Sequence, residues 1–176
     1  MKRSPVKVKF ETTLVTSVAK PIYHYLLVEK EWAEPLGFTG NLRRVVCTMN
    51  GVLSIQCSLM PSGKGPFYIS VNKEMRTKLG IAPGDKVNVE LTRDESKYGL
   101  PMPDELQEVL NQDPDGDRLF HALTNGKQRT ILYYVAKPKD IDKRISAALI
   151  IIEHLKNNDG KIDYSQLYEE LKRPVF

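Results

Sequence analysis

The sequence predicts an α+β protein: a small closed six-stranded β-barrel built from two strand-strand-helix-strand repeats over residues 1–95, a linker over 96–102, and an all-helical domain over 103–176. Three observations predict it. Residues 25–38, YLLVEKEWAEPLGF, return as residues 68–81, YISVNKEMRTKLGI, at an offset of 43, and a duplicated unit specifies a pseudo-symmetric fold. The flanking segments alternate apolar and polar residues with the period of a half-buried strand. Beyond residue 94 the composition turns to charge, Gly and Pro, and then to helical patterning.

The first strand is VKVKFETTLV, with Val6, Val8 and Phe10 set against Lys7, Lys9 and Glu11. After YLLV comes a helix with Trp32 and Leu36 as its stripe and Gly37 as its cap; Pro35 cannot sit deep in a regular helix, so a single distorted turn is expected. A turn at Gly40-Asn41 leads to a strand with Arg43, Val45 and Cys47 in the inward positions. Asn50-Gly51 is a tight-hairpin signal into VLSIQCSL. A two-residue loop sets Leu53 opposite Thr48, one bulged residue sets it opposite Met49, and the sequence leaves both registers open.

In the second copy Asn72 N-caps a helix striped by Met75 and Leu79, Gly80 takes the left-handed C-cap, and Ile81 folds back onto Met75. Pro83-Gly84 form the centre of a type II turn before KVNVEL, with Val87, Val89 and Leu91 inward. Six strands in two equivalent halves close into a barrel because closure removes exposed edges. Closure within one chain requires no second subunit, so a monomer suffices.

In the second domain, Pro103 and Pro114 open short helices carrying Leu106, Val109 and Leu110, then Leu119, Phe120 and Leu123. KQRTILYYVAK forms a helix that stops before Pro138, and the next runs from Asp140 to about Asn157 with Ile141, Ile145, Ala148, Leu149, Ile152 and Leu155 on one side. A terminal helix over about 164–172 starts behind Asp163, with Gln166 at capping-box spacing.

The length of 176 residues and 41% hydrophobic content suit an ordinary globular chain. MKRSPVKVKFE enters a strand directly and no apolar run reaches membrane-spanning length, so the cytoplasm and no membrane span are expected. In the bulged register Cys47 and Cys57 are diagonal neighbours about 7 Å apart, too far for an undistorted disulfide, and both are expected as reduced core residues.

FYISVNKEMRTKLGIAPGDKVNVEL, preceded by MNGVLSIQCSLMPSGKGPFYI, resembles a bacterial barrel domain of unknown function with an asparagine-glycine hairpin and an "LG-GD-V-V" ending. Its Gly84-Asp85 turn is also similar to the box of double-psi and swapped-hairpin (cradle-loop) barrels, which serve many functions. Residues 100–155, with LPMPDELQEVLNQDPDGDRLFHAL and AKPKDIDKRI, resemble the helical domain named for bacteriocin protection and YdeI or OmpD association. That family's second block reads "AK-ETR-RRI"; Lys137, Arg144 and Ile145 match, while Ile141 or Asp142 falls where the first arginine belongs. The resemblance implies a stress or bacteriocin-protection role and names no mechanism.

No catalytic, cofactor-binding or metal-ligating set emerges. His24, His121 and His154 stand apart, with no Cys or acidic cluster at ligand spacing. NNDGKIDYSQ imitates a calcium loop, but Leu155 fills the first ligand position and Gln166 replaces the bidentate glutamate, so a helix-to-helix turn is favoured. Ser62-Gly63-Lys64-Gly65 lacks the spacing and following helix of a P-loop and reads as a hairpin turn.

Residues 1–98 carry 15 Lys and Arg against 9 acids, net +6, and residues 99–176 carry 11 against 13, net −2. The positive charges are interleaved with acids and lack an aromatic stacking platform, which places nucleic acid second among partners. Arg43, Arg44, Arg129, Lys137, Lys143 and Arg144 are the candidates for holding an anion or a partner. The expected function is therefore a non-enzymatic binding or interaction protein with a protein or small-molecule partner, then a nucleic-acid-binding regulator, then an enzyme.

Overall fold

The computed structural model describes residues 5–18, 20–40, 42–63 and 65–173. Asn41 of the expected Gly40-Asn41 turn and Lys64 of the glycine-rich loop lie outside them. The chain forms two compact units, Met1–Glu95 and Ser96–Phe176.

The first unit is one curled antiparallel sheet, a half-barrel, of seven strands: β1 (Lys7–Thr16), β2 (His24–Val28), β3 (Arg44–Met49), β4 (Leu53–Ser58), β5 (Met60–Pro61), β6 (Phe67–Ser70) and β7 (Lys86–Arg93), in the order β4-β3-β7-β1-β2-β6-β5. The expected closed six-stranded barrel is therefore corrected. The segment 52–59, expected as one strand, ends at Ser58, before Leu59, whose side chain is buried and whose N–H donates to the Arg43 carbonyl at 2.9 Å. β4 then pairs with β3, while β5 pairs with β6 at the other end of the sheet. Strand β1 divides its ladder likewise, with Lys7–Thr13 on β7 and Leu14–Thr16 on β2.

Local chemistry sets the connections. α1 (Lys30–Ala33) runs into a 3-10 turn over Glu34–Leu36 that contains Pro35, and α2 (Lys73–Leu79) is N-capped by Asn72, which accepts from the Met75 N–H at 2.9 Å. Gly37 (φ 61°) and Gly80 (φ 64°) both end their helices left-handed. At Gly80 the N–H groups of Gly80 and Ile81 reach back to the Thr77 and Arg76 carbonyls, and Ile81 packs with Met75 and Leu79 against the core. Asn50 and Gly51 are left-handed and Leu53 faces Met49, so the hairpin carries the bulged residue.

Val87, Val89 and Leu91 are buried as expected, but the buried trio of β3 is Val45, Cys47 and Met49. Arg43, expected inward, instead lays its guanidinium over the Phe67 ring at 4.9 Å, because a cation cannot enter that apolar core without a partner.

The second unit is helical: α3 (Asp104–Gln112), α4 (Pro114–Ala122), α5 (Asn125–Ala136), α6 (Ile141–Asn157) and α7 (Tyr164–Glu170). Tyr98, Leu100 and Met102, within the expected linker, pack against its core of Leu106, Phe120, Leu132, Ala148, Ile151 and Leu155. α6 departs from the single apolar side read from sequence. Ile141 and Leu149 are exposed and Ile145 is half-buried, while Ala147, Ala148, Ile151, Ile152 and Leu155 are buried. The run ISAALIII is apolar on more than one face, so neighbouring helices decide which part is covered.

Candidate functional site

Of the six candidate cations, Arg43 and Arg44 belong to the sheet unit and the other four to the helical unit. Arg44 donates to Ser58 Oγ at 3.3 Å and faces the Asp94 carboxylate at 3.8 Å, while Gln56 Nε2 donates to both Asp94 oxygens at 3.2 and 3.3 Å. Arg144 pairs with Glu105 at 3.1 Å, and Arg129 lies half-buried on α5 outside the clefts described below. Only Lys137 and Lys143 converge. They line one cleft with Lys172 and Arg173, two cations from the chain's last turn that sequence spacing could not bring to them.

Helix α6 separates two clefts of opposite charge. Asp140 fixes its start by accepting from the Lys143 N–H at 3.0 Å. On one side Ile145, Leu149 and Ile152, spaced four and three residues apart, face α3 and form with Val109 the apolar floor of a groove of about 670 Å³. Its rim holds five carboxylates, Asp104, Glu105, Glu108, Asp113 and Glu153. Against them stand Lys156, 3.1 Å from Asp113 and 3.2 Å from Glu153, and Arg144 on Glu105. The Gly116 N–H and then the Lys156 ammonium hold the Asp113 carboxyl below the usual aspartate range. Asp104 and Glu108 have no cationic partner among the described residues.

On the other side Lys137 ends α5, Lys143 rises from the first turn of α6, and Lys172 and Arg173 follow α7 around a cleft of about 680 Å³. Lys172 is held by Glu169 at 2.7 Å and lies over the Tyr168 ring at 4.2 Å.

The histidines serve local bonds. The Asp163 N–H donates to His154 Nε2 at 3.1 Å, so the proton sits on Nδ1, 2.7 Å from Glu170 Oε2. This buried ring ties α6 to the start of α7. His121 lies 2.8 Å from the Tyr98 hydroxyl, and His24 lies 3.0 Å from Thr16 Oγ1. No group of three or more His, Cys, Asp or Glu suited to a metal ion occurs among the described residues.

The sheet unit corrects one expectation: an aromatic cluster exists. Tyr23, Tyr25 and Tyr68 stand with ring centroids 5.6, 6.1 and 5.8 Å apart, brought together because β2 pairs with β6. The sequence signal was present, since Tyr25 and Tyr68 occupy the same place in the two copies. Across the polar half of the sheet, Glu90 holds Lys7 and Lys9 at 2.9 and 3.2 Å and Glu11 holds Lys86 at 2.7 Å. Three of the unit's lysines are thereby paired with two carboxylates.

No helix among the described residues is long and apolar enough to cross a membrane. No curated protein matches the sequence. Residues 10–91 match the family model described as Domain of unknown function (DUF1905), and residues 100–158 match the one described as Bacteriocin-protection, YdeI or OmpD-Associated. The chain is thus a two-domain protein, similar to a domain of unknown function over its sheet and to the bacteriocin-protection, YdeI or OmpD-associated family over its helices.

Proposed function

We propose that this is a non-enzymatic binding protein whose helical unit captures a cationic, amphipathic peptide segment in the groove between α3 and α6. One observation carries the proposal: an acidic rim of Asp104, Glu105, Glu108, Asp113 and Glu153 over the apolar floor of Val109, Ile145, Leu149 and Ile152. An amphipathic helix laid in such a groove places apolar residues on the floor and Lys or Arg against the rim. The bacteriocin-protection description of the matched family supports a peptide partner. The engagement of all three histidines in local bonds supports a role other than catalysis.

Fluorescence anisotropy with a labelled amphipathic peptide built from Lys and Leu tests this. Binding is expected to weaken as salt rises, and Asp104→Lys with Glu108→Lys is expected to weaken it about tenfold or more. Equal binding of a Glu-for-Lys counterpart, or indifference to the double charge reversal, would sink the proposal.

The tyrosine cluster, with Tyr23 exposed and Tyr25 and Tyr68 half-buried, favours a second role, binding of single-stranded nucleic acid by the sheet unit, because an accessible ring face stacks on any base. Its signature is a steep loss of oligothymidylate affinity with salt, and a further loss in Tyr25→Ala and Tyr68→Ala. Absence of binding at low micromolar protein and about 50 mM salt, where the electrostatic contribution is large, excludes it.

A further inference from the structure

We infer that the cleft on the opposite side of α6 is a second binding site, for a small organic anion with an apolar body. The charge of the cleft is the first reason. Among the described residues Lys137, Lys143 and Arg173 form no ion pair, unlike Lys156, Arg144 and Lys172, which face carboxylates. Of the two acidic residues lining the cleft, Asp140 already caps α6 through the Lys143 N–H, and Asp142 lies exposed in the first turn. With Lys172 balanced by Glu169, three unpaired cations against the two carboxylates of Asp140 and Asp142 leave a positive excess.

The neutral groups point the same way. Tyr134 and Ser146 line the cleft, and their hydroxyls have no hydrogen-bond partner among the described residues, which leaves two donors for an acceptor-rich group. Ala147, Ile150 and Leu171 supply an apolar wall. A volume of about 680 Å³ lies within the usual range for small-molecule sites. Bare inorganic anions would leave that wall unused. A phosphate monoester or a carboxylate on a flat apolar body uses both the cations and the wall.

Amide-resolved NMR titration of the full chain tests the site with phenyl phosphate and benzoate as anionic probes, inorganic phosphate as the bare anion, and benzamidine as the cationic counterpart. Saturable shifts of the amides of Tyr134, Lys143, Ser146 and Arg173 are expected with phenyl phosphate, benzoate or both, and none with benzamidine. Whichever binds identifies the anionic group. Lys143→Gln and Arg173→Gln should each weaken binding several-fold and Lys143→Glu about tenfold, while Lys161→Gln, at an exposed cation outside both clefts, leaves it unchanged. The Gln variants keep the side-chain stem, so a folding defect in the charge reversal does not decide the outcome. The inference is overturned if neither probe gives saturable shifts by about 10 mM, beyond which any site is weaker than the millimolar range. It is equally overturned if inorganic phosphate binds as tightly as phenyl phosphate, or if the shifts survive both Gln substitutions.

Discussion

Gly116 of α4 lies so close to Ile152 of α6 that a methyl group on its α-carbon would stand 2.3 Å from Ile152 Cγ2. Ile152 is buried, and as a β-branched residue inside α6 it is held to one preferred χ1 rotamer, so its Cγ2 does not swing aside freely. Absence of a side chain at residue 116 is what lets the two helices approach.

Gly116→Ala is therefore expected to destabilise the helical unit by about 1–3 kcal/mol, because overpacking outweighs the helix-propensity gain of about 1 kcal/mol. Urea unfolding followed by far-ultraviolet circular dichroism measures the loss. Fluorescence of Trp32, which stacks on Phe10 in the sheet unit at 4.2 Å, should report an unchanged transition there. A variant as stable as the parent would show that α4 shifts freely.

Asp113 gives the helical unit an acid sensitivity with a definite sign. Its carboxyl is held below the usual range in the folded state, first by the Gly116 N–H and then by Lys156, so the ionised form favours folding. That stabilisation is complete above the unfolded aspartate value of about 3.9 and is lost as pH falls through the lower folded value. Asp113→Asn keeps a capping side chain but removes the charge, so the melting temperature should fall less steeply between neutral and strongly acid pH. Asp113→Ala also removes the cap and should cost about 1 kcal/mol at neutral pH. Identical acid slopes for Asn variant and parent would contradict this role.

The two thiols should be inert in the folded protein. Burial pushes the Cys57 thiol up to about 11, and burial with the neighbouring Cys57 pushes Cys47 up as well. Cys57 faces Val45 and Cys47 faces Ile55, the diagonal arrangement, and both are free. Thiolate is the reactive form, so a disulfide reagent at mildly alkaline pH should leave both untouched until denaturant is added, when both react. Rapid modification of the native chain would mean the sheet opens.

Features governed by neighbouring residues were legible in the sequence. Asn72 and Asp163 cap the helices they precede, Pro114 begins one, and Gly37 and Gly80 end others, because each uses atoms within a few residues. Asp163 also shows where such inference ends. Its carboxylate accepts from the Gln166 N–H at 3.0 Å, as a capping box requires, but Gln166 turns to Glu170 at 2.7 Å and the Asp163 N–H goes to His154 instead. That ring lies in the preceding helix, and no periodicity announces it. The break at Leu59 was hidden for a similar reason: VLSIQCSL keeps a strand's alternation up to Leu59, whose N–H goes to the distant Arg43 carbonyl. For the candidate site, Lys137 and Lys143 were named from their density in sequence, whereas Arg44 and Arg144 turned out to serve carboxylates that only the fold places beside them.

Strands β4 and β5, the first and last in the sheet order, are consecutive in the chain with only Leu59 between them. Fraying on one flank must therefore transmit along covalent backbone to the other. The amides of β4 and β5 should exchange with solvent as one cooperative group. At the β5 end the flank is two residues long, which gives an invading strand from a neighbouring molecule little ladder to extend.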